Sequence, residues 1–219
     1  MGQENETVSG VSFDLFGTLV TMDRPSAPTE AAAHTLEAQG ATVPDDWTEA
    51  FGERHIDNSD GAEIPLTDHV VAALASRANT LDRASLRDDV ERAVWSVFDL
   101  DVRTRDGAAT TVETLGERLP VGVLSNCSVP GLAERTIERS SIDGAVFDVV
   151  TMSVDCGWRK PNLRAFRAVA EGLGIGVERL LHIGNDPVAD GGVVEGGGTA
   201  LLIDETPLPD VPEVVEGWV

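Results

Sequence analysis

Val11-Ser12-Phe13-Asp14-Leu15-Phe16-Gly17-Thr18-Leu19-Val20 is the stretch from which the rest of the chain can be read. Val8, Val11 and Phe13 are the β-branched and aromatic residues of a buried strand. Asp14 closes that strand with a carboxylate. Gly17 permits the tight turn that follows, and Thr18 places a hydroxyl beside it. In an open α/β sheet, ligands bind just beyond the carboxyl ends of the strands, so Asp14 is a candidate nucleophile.

Strands of the same kind recur downstream. Val121-Gly122-Val123-Leu124 runs into Ser125-Asn126-Cys127-Ser128, and residues 146–150 read as a further strand. Leu180-Leu181-His182-Ile183 ends in Gly184-Asn185-Asp186-Pro187, and a last strand covers 200–203. Helices are predicted between them over about 108–119, 131–139, 161–171 and 189–195, the third with Pro161 at its first turn. Strands alternating with helices imply a parallel sheet with right-handed crossovers. Residues 207–219 are rich in Pro and acid and are expected to be loosely ordered.

The region 26–103 has a different pattern. Apolar residues fall at helical spacing in Leu66–Arg77 (Val70, Val71, Leu74, Ala75) and again over 86–98 (Val90, Ala93, Val94, Val97). Thr29 is placed to cap a helix through Gln39, and Asp45 or Asp46 to cap another carrying Trp47, Ala50 and Phe51. The expected organisation is an α/β, Rossmann-like parallel-sheet core of residues 1–21 and 104–219, with an inserted all-α cap of residues 22–103.

Composition narrows the partners. Among 219 residues, 38 acidic side chains face 16 basic ones, a net charge of −22, which repels nucleic acid and anionic membranes. Fifteen of the basic residues are Arg, and the one Lys is Lys160. Acidic surfaces almost without lysine resemble proteins of salt-accumulating haloarchaea. At molar salt the Debye length is ~3 Å and such a surface is screened, so dilution into low salt is expected to destabilise the fold. No apolar run approaches the ~20 residues of a membrane span. The polar, acidic start lacks the features of a signal peptide, so a cytoplasmic location is expected. Cys127 and Cys156 read as small buried hydrophobes rather than a disulfide framework. A monomer or homodimer is expected.

The polar strand ends converge on one crevice. They bring together Asp14, Ser125, Asn126, Asn185 and Asp186, with Lys160 just ahead of a helix. The set suits attack on a small anionic substrate. Asp14 is the expected nucleophile, and Ser125 and Lys160 are expected to bind anionic oxygens. Asp186 and Asp190 are candidates to share Mg²⁺ with Asp14. The composition has exchanged every other lysine, and the one retained sits in this constellation. His182 is expected to be packed and satisfied. Arg54 and His55 read as part of a solvated helix face.

These residues resemble the motifs of the haloacid dehalogenase (HAD) superfamily. Asp14-Leu15-Phe16-Gly17-Thr18 is similar to its first motif, Asp-x-Asp-Gly-Thr, and Leu124-Ser125-Asn126 to its second. Lys160-Pro161 resembles the third, and Ile183-Gly184-Asn185-Asp186 with Asp190 the fourth. The resemblance implies a hydrolase that forms a covalent aspartyl intermediate on Asp14, with Ser125 and Lys160 as catalytic partners. Thr18, Asn126 and Arg159 are the candidate substrate contacts, Arg159 through its place beside Lys160. The family's metal-dependent members imply Mg²⁺ held by Asp14, the backbone carbonyl of Phe16, Asp186 and Asp190.

The departures bear on the reaction. In the family's phosphatases the second Asp of the first motif is the general acid and base, and here that position is Phe16. The family's 2-haloacid dehalogenases also carry an aromatic residue there and use no metal. Asn185 stands where the usual first Asp of motif four would be. The dehalogenases hold carboxylate and halide with an Arg after motif one, and Arg24 is the only Arg close by. The leading expectation is a Mg²⁺-dependent phosphatase of a small phosphomonoester. The alternatives are a metal-independent 2-haloacid dehalogenase and a catalytically silent HAD fold that binds a ligand.

Overall fold

The computed structural model describes residues 7–23, 26–58, 60–78 and 83–219, with 83–85 described by their backbone alone. Arg24 lies outside the described residues. The strands are β1 (Gly10–Phe13), β2 (Val20–Met22), β3 (Val102–Thr104), β4 (Val121–Ser125), β5 (Val149–Met152), β6 (Leu180–Gly184) and β7 (Thr199–Leu202). The α-helices are α1 (Pro28–Ala38), α2 (Trp47–Gly52), α3 (Leu66–Arg77), α4 (Arg83–Val97), α5 (Ala108–Gly116), α6 (Leu132–Arg139), α7 (Ser153–Cys156), α8 (Leu163–Gly172) and α9 (Val211–Glu216). They fall into two compact units, one running to Met22 and over Val102–Cys127 and Gly131–Val219, the other over Asp23–Asp101 with Ser128–Pro130.

The first unit is an α/β core. Five parallel strands lie in the order β5-β4-β1-β6-β7. β1 is central, with Val11 in register with Val121 and Leu181, and Phe13 with Val123 and Ile183. All six of these side chains are fully buried, as expected of a parallel sheet covered on both faces. α8 turns Ala165, Phe166, Val169 and Ala170 toward Leu124, Leu180 and Val193. Burying each larger apolar side chain of this kind contributes about 1.5–3 kcal/mol.

Three features differ from the sequence expectation. Two short strands absent from the sequence reading, β2 and β3, pair antiparallel. Strands this short, half exposed, are too brief to show alternation. The 189–195 segment is a run of 3₁₀ turns over Asp190–Gly196 instead of an α-helix. The C-terminal segment is packed. α9 buries Val211 and Val215, and the amide of Val8 donates to the carbonyl of Trp218 at 2.9 Å. Its valines fall one turn apart, and a few anchored apolar residues outweigh the acidic composition around them.

The second unit packs α1 to α4 around Leu36, Trp47, Ala50, Val70, Ala73, Leu74, Val90 and Ala93. The Trp47 indole N–H donates to the Thr29 carbonyl at 3.0 Å. Neither expected cap forms: α1 begins at Pro28, and the Asp46 carboxylate instead accepts from Arg77 Nε at 2.8 Å. Ser128 joins this unit through its hydroxyl, which donates to Glu63, and its carbonyl, which accepts from the Leu66 amide. No helix among the described residues is long and apolar enough to cross a membrane.

Candidate active site

Alternation along β1 puts Ser12 and Asp14 on one face of the sheet. The Asp14 amide donates to the Ile183 carbonyl at 2.8 Å, which fixes the strand end against β6. The chain then turns sharply. Leu19 and Val20 amides both return to the Leu15 carbonyl, and the Gly17 amide reaches the Val20 carbonyl at 2.7 Å. Gly17 has φ +96°, and a Cβ there would lie 2.9 Å from Asn185 Oδ1. Glycine therefore serves both the backbone conformation and the close approach of β6. Arg105, just past β3, donates to the Gly17 carbonyl at 2.6 Å and holds this turn from outside.

Asp14 is 6% exposed, and its two carboxylate oxygens are treated differently. Oδ1 accepts from the Ser125 hydroxyl at 2.7 Å and from Lys160 Nζ at 2.8 Å. Oδ2 accepts no hydrogen bond among the described residues. Lys160, 4% exposed, also donates to the Leu124 carbonyl at 2.8 Å and to Asp190 Oδ1 at 2.6 Å. Its three N–H groups are thus committed to three acceptors. Ser125 and Lys160, the residues expected to bind anionic oxygens, both donate to Asp14 in this structure.

Asn126, an expected substrate contact, bonds the backbone of Lys160. Its side-chain amide donates to the Lys160 carbonyl at 2.9 Å, and its Oδ1 accepts from the Lys160 amide at 2.7 Å. The end of β4 thereby clamps the peptide that carries the lysine. Thr18 donates to Asn185 Oδ1 at 3.0 Å, joining the first turn to the end of β6. Arg159 is half-buried and is not among the residues bonded to Asp14, Lys160 or Asp190.

Asp190 is 1% exposed. Burial alone would raise its pKa. The His182 hydrogen bond and the Lys160 charge outweigh that and hold it well below the usual carboxylate range. Its Oδ1 accepts from His182 Nε2 at 3.0 Å as well as from Lys160, and its Oδ2 accepts from the Asp186 amide at 2.8 Å. The exposed Asp186 turns its Oδ1 back onto the amides of Val188 and Ala189.

The side chains of this donor set do not by themselves complete a magnesium site. A hard divalent cation favours several carboxylate oxygens. Among the expected carboxylate ligands, Asp14 and Asp186 each keep one oxygen without a hydrogen bond among the described residues. Both oxygens of Asp190 are engaged, Asp186 caps its own turn, and position 185 offers a neutral amide already bonded to Thr18. No group of three or more His, Cys, Asp or Glu suited to a metal ion is found among the described residues.

Sequence reasoning did not foresee the pair Ser12–His182. The Ser12 hydroxyl and His182 Nδ1 are 2.8 Å apart, both side chains fully buried. The signal was present: Ser12 alternates with Asp14, and His182 interrupts an otherwise apolar strand. Cys127 is buried and Cys156 half-buried, and they form no disulfide. Arg54 and His55 belong to the helical unit, where His55 bonds the Ala50 carbonyl at 2.6 Å.

The model of the haloacid dehalogenase-like hydrolases matches residues 8–191. The chain belongs to that family of hydrolases. It is 29% identical over 208 residues to phosphatase MT3486 of Mycobacterium tuberculosis (strain CDC 1551 / Oshkosh), covering 91% of this chain and 89% of that one. Its fold is similar to that of a 2-haloacid dehalogenase from Pseudomonas syringae pv. Tomato DC3000, with a TM-score of 0.68, 17% identity and coverage of 97% and 100%. It is also similar to the L-2-haloacid dehalogenase of Xanthobacter autotrophicus with chloropropionic acid covalently bound, with a TM-score of 0.59, 17% identity and the same coverages. At these identities the structural likenesses establish the fold.

Proposed function

We propose that this hydrolase displaces halide from a small 2-haloacid through an ester on Asp14. The observation that carries the reading is Phe16 in place of a general acid, while the asymmetry of the Asp14 carboxylate, with both of its donors on Oδ1, leaves Oδ2 to attack. Oδ2 attacks the carbon that bears the halogen. The C–O bond forms, the C–halogen bond breaks, and halide departs with the bonding pair. Halide needs no proton, so Phe16 in place of a general acid costs this step nothing.

Water then adds to Cγ of Asp14. Negative charge builds on Oδ1, where the Ser125 hydroxyl and the Lys160 ammonium already donate. Each such donor is worth roughly 10²–10³ in rate in comparable sites. Collapse expels the former Oδ2 as the hydroxyl oxygen of the product, which takes one proton of the added water. The other proton is released with the halide. Asp14 is regenerated with one oxygen from solvent.

A second reading, hydrolysis of a small phosphomonoester, is favoured by the 29% identity to a phosphatase. There Oδ2 attacks phosphorus, and water returns to phosphorus. The two readings separate in one set of assays at molar KCl, with 2-chloropropionate and a panel of phosphate esters, with Mg²⁺ or EDTA. The expected result is chloride release indifferent to EDTA and absent in Asp14→Asn. A single turnover in ¹⁸O-water then leaves the label on the peptide containing Asp14. Phosphate release stopped by EDTA, with the label in phosphate, overturns this in favour of the second reading. No turnover with tight phosphate binding points to a silent binding fold.

A further inference from the structure

We propose that His182 is a positioning residue, which aims Lys160 at Asp14 by fixing Asp190 from behind. The inference rests on Asp14 as the nucleophile and holds for either leaving group. His182 sits on β6 directly opposite Ser12 on β1, with no exposed surface. Its Nε2 lies 3.0 Å from Asp190 Oδ1. An ionised carboxylate only accepts, so Nε2 carries the proton, and Nδ1 accepts from the Ser12 hydroxyl. Burial, and then the neighbouring Lys160 charge, keep the ring neutral. The edge of Phe166 packs against it with ring centres 5.2 Å apart.

The geometry shows what this accomplishes. Lys160 Nζ and His182 Nε2 are 3.3 Å apart. Both carry hydrogens, so they bond not to one another but side by side to Asp190 Oδ1. The Asp186 amide holds the other oxygen. With three donors placed around it, Asp190 has no freedom to rotate. Its attraction for the ammonium then has one direction, and that direction leaves a Lys160 N–H on Asp14 Oδ1. Removing the His182 donor lets Asp190 turn, and the lysine then follows Asp190 away from Asp14. Misplacement of about 1 Å in such a group typically costs on the order of 10²-fold in rate.

Gln at 182 retains an N–H that reaches toward Asp190, and Leu does not. His182→Leu is expected to lower kcat about 30-fold or more with KM within about twofold, and His182→Gln to recover most of the loss. Ser12→Ala, a smaller change that keeps the fold if His182→Leu does not, is expected to lower kcat at least threefold. Its His182 ring nitrogens should report mixed tautomers by ¹⁵N NMR, whereas the wild type should report Nε2–H alone. Equal kcat in wild type and His182→Leu, or an Nδ1–H ring in the wild type, overturns the proposal. If the wild type turns over no substrate offered, the proposed function fails separately. The crystal structure of His182→Leu or Ser12→Ala then decides. A shift of Lys160 Nζ from Asp14 by more than about 0.5 Å supports positioning, and unmoved atoms refute it.

Discussion

Lys160 and Asp190 meet at 2.6 Å with both side chains 2% exposed, so the ammonium is buried between Asp190 and Asp14. Removing it leaves two buried carboxylates without their countercharge. Lys160→Met is expected to abolish turnover and to cost about 3–5 kcal/mol of stability, measured by denaturant unfolding at fixed KCl. A stability within about 1 kcal/mol of wild type would mean that the site relaxes by taking up protons or water.

Gly184 lies beneath Asp190. A Cβ there would stand 2.1 Å from Asp190 Cγ. Gly184→Ala must therefore push the carboxylate off Lys160 and His182. The expected outcome is a loss of about 1–3 kcal/mol from overpacking, together with a fall in kcat. Thermal melting and steady-state kinetics of one preparation check both.

Acid sensitivity follows from the same groups. The His182 ring is held below its ordinary value of 6.5, so below about that pH the unfolded chain takes up a proton that the folded chain refuses. Stability from this group is present above pH 6.5 and is lost as pH falls below it. Asp190 is also held low, so its contribution is present above its ordinary value of 3.8 and is lost as pH falls beneath that. Each contributes a slope of at most about 1.4 kcal/mol per pH unit. Unfolding free energy measured from pH 8 to 4 should begin to decline near pH 6.5, and His182→Gln should flatten that first decline.

The metal reading has its own check. Titration calorimetry of the wild type with Mg²⁺ should give no heat of specific binding. Asn185→Asp, which restores a carboxylate beside Thr18, should create a site of millimolar strength or better. Phe16→Asp in the same chain should add phosphatase activity to it. Specific Mg²⁺ binding by the wild type would show that waters and backbone carbonyls complete a site that the side chains leave unfinished.

Much of this was legible in the residues. The run from Val11 to Val20 announced a strand, a turn and a carboxylate between them, and the lone lysine was expected beside that carboxylate, where it lies. What the residues do to one another was not legible. Asn126 read as a substrate contact because it follows Ser125, but its bonds go to a peptide 34 residues on. Asp190 read as a candidate metal ligand because it follows Asp186 by one turn in a motif-like spacing, and only the folded structure shows both of its oxygens engaged. β2 and β3 were missed because three-residue strands carry no period, and α9 because its two buried valines sit among acids.

The single lysine has a practical consequence. With every other basic residue an arginine and Lys160 buried at 4% exposure, the folded core offers almost nothing to amine-directed reagents. An acylating probe that appears at residue 160 reports an opened site with no background from other lysine side chains. The protein therefore carries its own sensor for the integrity of the place where its chemistry is done.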